Sequence, residues 1–245
     1  MDSDSSGAGQ EKVDARAPES GSVWQVPGMP WLLGSAALWF SGFALLVPVA
    51  PLWVIRGGSD DLGAGPIAAL VVITASGGAI LTFTPHMLAS PALGFLGLLA
   101  FTGAAAASRW GAGGIADRFG ATAAIAPLLF TGALGLAAIG LRADSIHDTP
   151  GRSLVIAGLL VTGVAYGGLQ NLTLAQAFNA AGESARSSVS IAWNLSFDAG
   201  TGLGAFAVGA IATAASYSVA FGVLALAVGF TGACWAWPGP FRRGS

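Results

Sequence analysis

The stretch WGAGGIADRFGA, residues 110–121, sets Asp117 and Arg118 side by side between two long runs almost empty of charge, 93–110 and 121–141. A helix that crosses the hydrocarbon of a bilayer needs about 20 mostly apolar residues, and both runs are close to that length. Working outward, further runs of the same kind occupy 31–54, 66–89, 153–178, 189–214 and 218–237, which makes seven candidate spans. Only ASPA, at 89–92, divides the second and third of these, with Pro85 and Pro91 near the joint. Read this way, the fold class is an all-α integral membrane protein, a polytopic bundle of about seven transmembrane helices.

Composition supports the same class. Of 245 residues 54% are hydrophobic and 9% charged, whereas a soluble domain carries roughly 25% charged residues. Ten Lys plus Arg and twelve Asp plus Glu cannot clothe a water-facing surface of this size. A net charge of −2 and scattered single bases argue against a nucleic-acid partner. Cys234 is the only cysteine, so neither an internal disulfide nor a Cys-x-x-Cys site can form. The polar, apolar-poor residues 1–29 read as a disordered tail without the basic and apolar regions of a cleaved signal peptide.

Much of the glycine, 37 residues in all, falls inside the apolar runs. In lipid, small residues let helix backbones approach closely, and Gly200 and Gly204 form one small-xxx-small pair. Orientation follows from the bases. If the six runs from residue 66 onward alternate in direction, Arg109, Arg118, Arg186, Arg242 and Arg243 fall in the cytoplasm, with Arg142 and Arg152 outside. Both ends of that six-helix block then face the cytoplasm, and one extra span ahead of it would export a tail whose Lys12 and Arg16 are outnumbered by five acids.

The segment GGIADRFG, residues 113–120, resembles the signature G-x-x-x-D-[RK]-x-G-[RK]-[RK] that major facilitator superfamily transporters carry between the second and third helices of a six-helix half. It departs from that pattern at Ala121 and Thr122, where the family prefers bases. Arg109 is similar to the base at the end of the preceding helix. AILTFTPHMLAS (79–90), GVAYGGLQNLTLAQAFN (163–179) and SFDAGTGLGAFAVGAIA (196–212) resemble the first, fourth and fifth helices of a second half. Residues 66–237 thus resemble one C-terminal half. Residues 30–65, with Pro48 and Pro51, look like the opening helix of an N-terminal half, and 238–245 form a cytoplasmic tail. Since the family counts twelve helices, the resemblance implies that five are missing between about Gly65 and Pro66.

The resemblance also implies a role for Arg109, Gly113, Asp117, Arg118 and Gly120 as a gating loop, whose contacts with a neighbouring helix end form in one state and break in the other. There the acid would be favoured near a helix N-terminus and Arg118 would pair with carboxylates or carbonyls. A loop that merely sets topology by its charge is the simpler alternative. Asp198 is the only acid well inside a span, with Asn194 and Thr201 on its helix face; acids so placed are candidates for proton or substrate contact. Tyr166, Gln170 and Thr173 share one face of the run at 153–178 and Asn171 lies beside it, either lining a cavity or holding helices together.

Other chemistry finds no support. His86 and His147 are not spaced as metal ligands, and the NLT and NLS sequons at 171 and 194 lie in apolar runs. Lys12 is the only lysine and sits in the tail, so no ATP-binding P-loop exists. No catalytic triad or carboxylate pair is visible, so an enzyme is not expected and no cofactor is implied. The expected function is transport of a small organic molecule, as proton-coupled efflux through the plasma membrane. One half alone would need a second, for example from a homodimer. The alternative is a non-transporting membrane protein, an assembly partner or the remnant of a transporter gene.

Overall fold

A computed structural model describes Trp31 and residues 64–88, 90–146 and 148–237. The tail at 1–29, nearly all of the first apolar run at 31–54, and 238–245 lie outside the described residues, and so does the seventh span expected there. Among the described residues every regular element is an α-helix: α1 (Ala64–Met87), α2 (Pro91–Phe119), α3 (Ala121–Gly140), α4 (Thr149–Ala214) and α5 (Tyr217–Ala236). Ala64 and Gly65, placed above in the segment 30–65, already belong to α1.

Local chemistry sets the helix starts. Ser90 accepts a hydrogen bond from the Leu93 N–H at 3.3 Å, with Pro91 in the first turn of α2. Asp148 accepts one from the Gly151 N–H at 3.1 Å ahead of α4, and Ser216 one from the Val219 N–H at 3.2 Å ahead of α5. Each satisfies an N–H that the helix itself leaves without a partner, and proline suits a position that has no bond to donate.

Two boundaries differ from the sequence reading. The expected loop at 111–120 is helix as far as Phe119, because α2 continues through it, and the break falls on Gly120 alone. Gly120 has φ +82°, a left-handed conformation that favours glycine. Its N–H still bonds the Ala116 carbonyl at 2.9 Å, and α3 begins at the next residue. Gly111, Gly113 and Gly114 do not end α2: a helical glycine costs only about 1 kcal/mol, less than leaving backbone groups unsatisfied near hydrocarbon.

The second concerns α4, whose 66 residues would make a straight rod about 99 Å long. Trp193 Nε1 nevertheless donates to Thr173 Oγ1 at 3.2 Å, although 20 residues of straight helix would hold them about 30 Å apart. The rings of Tyr166 and Phe197 also lie 6.5 Å apart. The chain therefore doubles back between 179 and 186, and the limbs Thr149–Asn179 (α4N) and Arg186–Ala214 (α4C) run antiparallel. With α1, α2, α3 and α5 they make six helices long and apolar enough to cross a membrane, and the protein is read as a multi-pass membrane protein.

Contacts fix the directions. α2 runs parallel to α4N, Gly163 against Phe101 and Gly167 against Ala105. α3 runs antiparallel to α4N, Gly135 against Thr162 and Gly132 against Ala165, and α5 antiparallel to α3, Gly232 against Leu129 and Gly229 against Ala133. α1 runs parallel to α4C, where Gly200 and Gly204 meet the backbone of Val71 and Ala75. Successive spans thus alternate, and the start of α1, the Gly120 joint, the turn in α4 and the end of α5 share one side. α1 and α4N are the most enclosed spans, α2 and α4C the least.

On the opposite side, the turn at 141–148 is tied to α5. Asp144 accepts from the backbone N–H groups of Tyr217 at 3.1 Å and Ser218 at 3.0 Å. Burial pushes its carboxyl up, but hydrogen bonds from the Ser216 and Ser218 side chains and from the Ser218 and Tyr217 backbone outweigh that and hold it below the usual carboxylate range. A carboxylate at the positive end of α5 also complements the helix dipole.

Candidate functional site

The residues singled out on the run at 153–178 do converge, and the structure divides them into two kinds. Thr173 is buried and accepts from Trp193 of α4C while donating to the Leu169 carbonyl at 2.7 Å. Asn171 Nδ2 donates to the Arg109 carbonyl of α2 at 2.9 Å. These two bind helices together. Three further contacts of the same kind fall outside the residues singled out in the sequence: Ser108 to the Val164 carbonyl at 2.6 Å, Gln176 to Thr122 Oγ1 at 2.7 Å, and Trp235 to the Thr122 carbonyl at 3.1 Å. Gln176 sits three residues beyond Thr173, so a longer window on the same stripe would have included it.

Gln170 is of the second kind. It is 1% exposed, and neither its amide nitrogen nor its oxygen makes a hydrogen bond. Tyr166, one turn earlier, lies beside it without reaching hydrogen-bond geometry. Aromatic rings crowd this level of the bundle: Phe101 and Tyr166 centroids are 5.1 Å apart, and Trp193 stacks on Phe197 at 5.5 Å and 25°. Gly77 of α1 lies against the Tyr166 ring. An amide without partners in a buried setting costs about 1–3 kcal/mol, so Gln170 detracts from stability where it stands.

Asp198 is placed differently from Gln170. It is exposed on α4C, with Asn194 exposed one turn before it and Thr201 half-buried. Asn194 Nδ2 and Thr201 Oγ1 donate to carbonyls of their own helix, Ser190 and Phe197. The Asp198 carboxylate makes no hydrogen bond or ion pair among the described residues. It therefore does not join Gln170 in one enclosed cavity. It stands on the outer side of the limb whose Trp193 and Phe197 form the aromatic wall. A charge at mid-bilayer costs about 2.5–3.5 kcal/mol on insertion scales.

The signature stretch forms the last turns of α2, with Gly113 half-buried and Asp117, Arg118 and Gly120 exposed. The Arg118 guanidinium carbon sits 5.7 Å from the centre of its neighbour Phe119, and no carboxylate pairs with it among the described residues. Asp117 lies in the last turn of α2 rather than in the first turn of a helix, so the macrodipole opposes its charge and favours Arg118. Arg109 is exposed on the same helix. His86 places Nδ1 3.2 Å from the Thr82 carbonyl in the last turn of α1, and His147 lies outside the described residues.

Comparison with protein-family models, with curated proteins and with solved structures finds no match to this chain.

Proposed function

We propose that this protein is a membrane transport module of the major facilitator kind, moving a small organic molecule across the plasma membrane by proton-coupled efflux. The observation that carries the reading is Gln170. A side chain with two donors and an acceptor, buried beside Tyr166 and making no hydrogen bond, is a poor structural element and a good contact for a polar group on a mostly apolar solute. Six spans alternating about the two central helices, and the resemblance of 113–120 to the family's signature, support the same reading.

In this scheme Gln170, Tyr166 and the Trp193–Phe197 stack hold the solute, while Asn171 and Thr173 keep the site's walls together. Asp198 supplies the ionisable group for coupling. The rigid end of α2, with Arg109, Asp117 and Arg118, is the cytoplasmic face, in keeping with its excess of arginine. The test is accumulation of a panel of fluorescent organic dyes by cells expressing the chain, with and without a protonophore. The proposal expects lower accumulation that the protonophore abolishes and that Gln170→Leu also abolishes. Unchanged accumulation across the panel, or full activity in Gln170→Leu, would sink it.

A further inference from the structure

Two opposite charges are left bare on the membrane-spanning surface, Arg109 of α2 and Asp198 of α4C, each exposed and without an ion pair among the described residues. Their depths can be compared through the helices between them. The 20 residues of α3 rise about 30 Å, the thickness of the hydrocarbon, so α3 serves as a ruler. Gly132, near its midpoint, packs on Ala165, next to Tyr166, whose ring neighbours Phe197. Asp198 therefore lies close to the bilayer centre.

Arg109, whose carbonyl is held by Asn171, is five residues of α4N away from the Tyr166 level, about 7.5 Å toward the Gly120 side. A long arginine side chain can make up that distance.

We propose that a second copy of this chain covers this face, in a two-fold homodimer where Arg109 of each copy pairs with Asp198 of the other. A two-fold axis along the membrane normal keeps both residues at their own depths, so one geometry satisfies both pairs at once. α2 and α4C are the least enclosed spans, as an interface still to be covered requires. The pairing depends only on membrane placement, not on transport, and its test reads assembly.

The experiment measures the monomer–dimer equilibrium of the full-length chain in lipid nanodiscs or vesicles by single-molecule photobleaching, across protein-to-lipid ratios. Wild type is expected to dimerise. Arg109→Asp and Asp198→Arg should each weaken the dimer at least tenfold, and the double reversal should restore it to within about threefold. The milder Arg109→Gln and Asp198→Asn serve as the single changes if a reversal fails to fold, and each is expected to weaken the dimer about tenfold. A monomeric wild type overturns the proposal, including one in which residues 31–54 crosslink to the Asp198 face of their own chain. Single variants that dimerise like wild type overturn it as well. Loss of dye efflux with an intact, charge-dependent dimer would count against the transport reading alone.

Discussion

Replacing Gly204 with alanine tests how α1 and α4C cross. A methyl built there falls well inside van der Waals contact with the carbonyl, carbon and Cα of Ala75, all backbone atoms. Backbone cannot rotate away as a side chain can, so α1 must retreat by more than an ångström over a crossing where Gly200 already meets Thr74 and Val71. Overpacking of this kind costs about 1–3 kcal/mol.

The control is Gly222→Ala on α5, where nothing lies within 4 Å of the added methyl. There the change gains up to about 1 kcal/mol of helix propensity. At roughly 2–4 °C per kcal/mol for a chain of this size, the melting temperature in detergent or nanodiscs should fall by about 2–12 °C for Gly204→Ala. It should rise by up to about 4 °C for Gly222→Ala. The two substitutions are chemically identical, so shifts of the same sign and size would refute the close crossing.

Gln170→Leu should raise the melting temperature, since it removes an amide that lacks partners at a cost of about 1–3 kcal/mol. A destabilised Gln170→Leu would mean that the amide has a structural partner. Asp144→Ala should cost about 1 kcal/mol through loss of the cap on α5. Because folding depresses the Asp144 carboxyl, its contribution is fully present above the unfolded value of about 3.9 and is lost as pH falls through the lower folded value. Melting curves of Asp144→Asn should lack that acid-side component, and an unchanged acid limb would discount the tether. Gln176→Ala should cost only about 0.6 kcal/mol, the usual worth of one interhelical bond in a membrane, and leave the fold intact.

Hydropathy located α1, α3 and α5 to within a few residues because crossing a bilayer is a test of length: 66–89, 121–141 and 218–237 against Gly65–Met87, Ala121–Gly140 and Tyr217–Ala236. The end of α2 was not legible that way. A run rich in glycine and charge looks like a loop, whereas the backbone carries on to the one residue with positive φ. The grouping of Tyr166, Gln170 and Thr173 followed from helical period alone, but period cannot say which of them finds a partner. That depends on Trp193, a residue on the next limb. The outward placement of Asp198 was within reach. Gly200 marks the side of α4C that meets α1, and at 100° per residue Asp198 lies about 160° around the helix from it.

The stretch at 110–121 changes meaning with this geometry. A flexible loop could change its contacts independently of its surroundings, but the end of α2 is a helix fastened to α4N by Ser108 and Asn171 through the Val164 and Arg109 carbonyls. The far side of the Gly120 joint is fastened as well, since Thr122 receives Gln176 of α4N and its carbonyl receives Trp235 of α5. With both sides of the joint bonded to one central helix, Gly120 has little freedom to act as a local hinge, and α2, α3, α4N and α5 move together at this end. On the transport reading, alternating access then comes from rocking this block as a body against whatever covers α2 and α4C. Arg109 sits on that moving block, so its contact with a facing partner can be remade between states without any rearrangement inside the block.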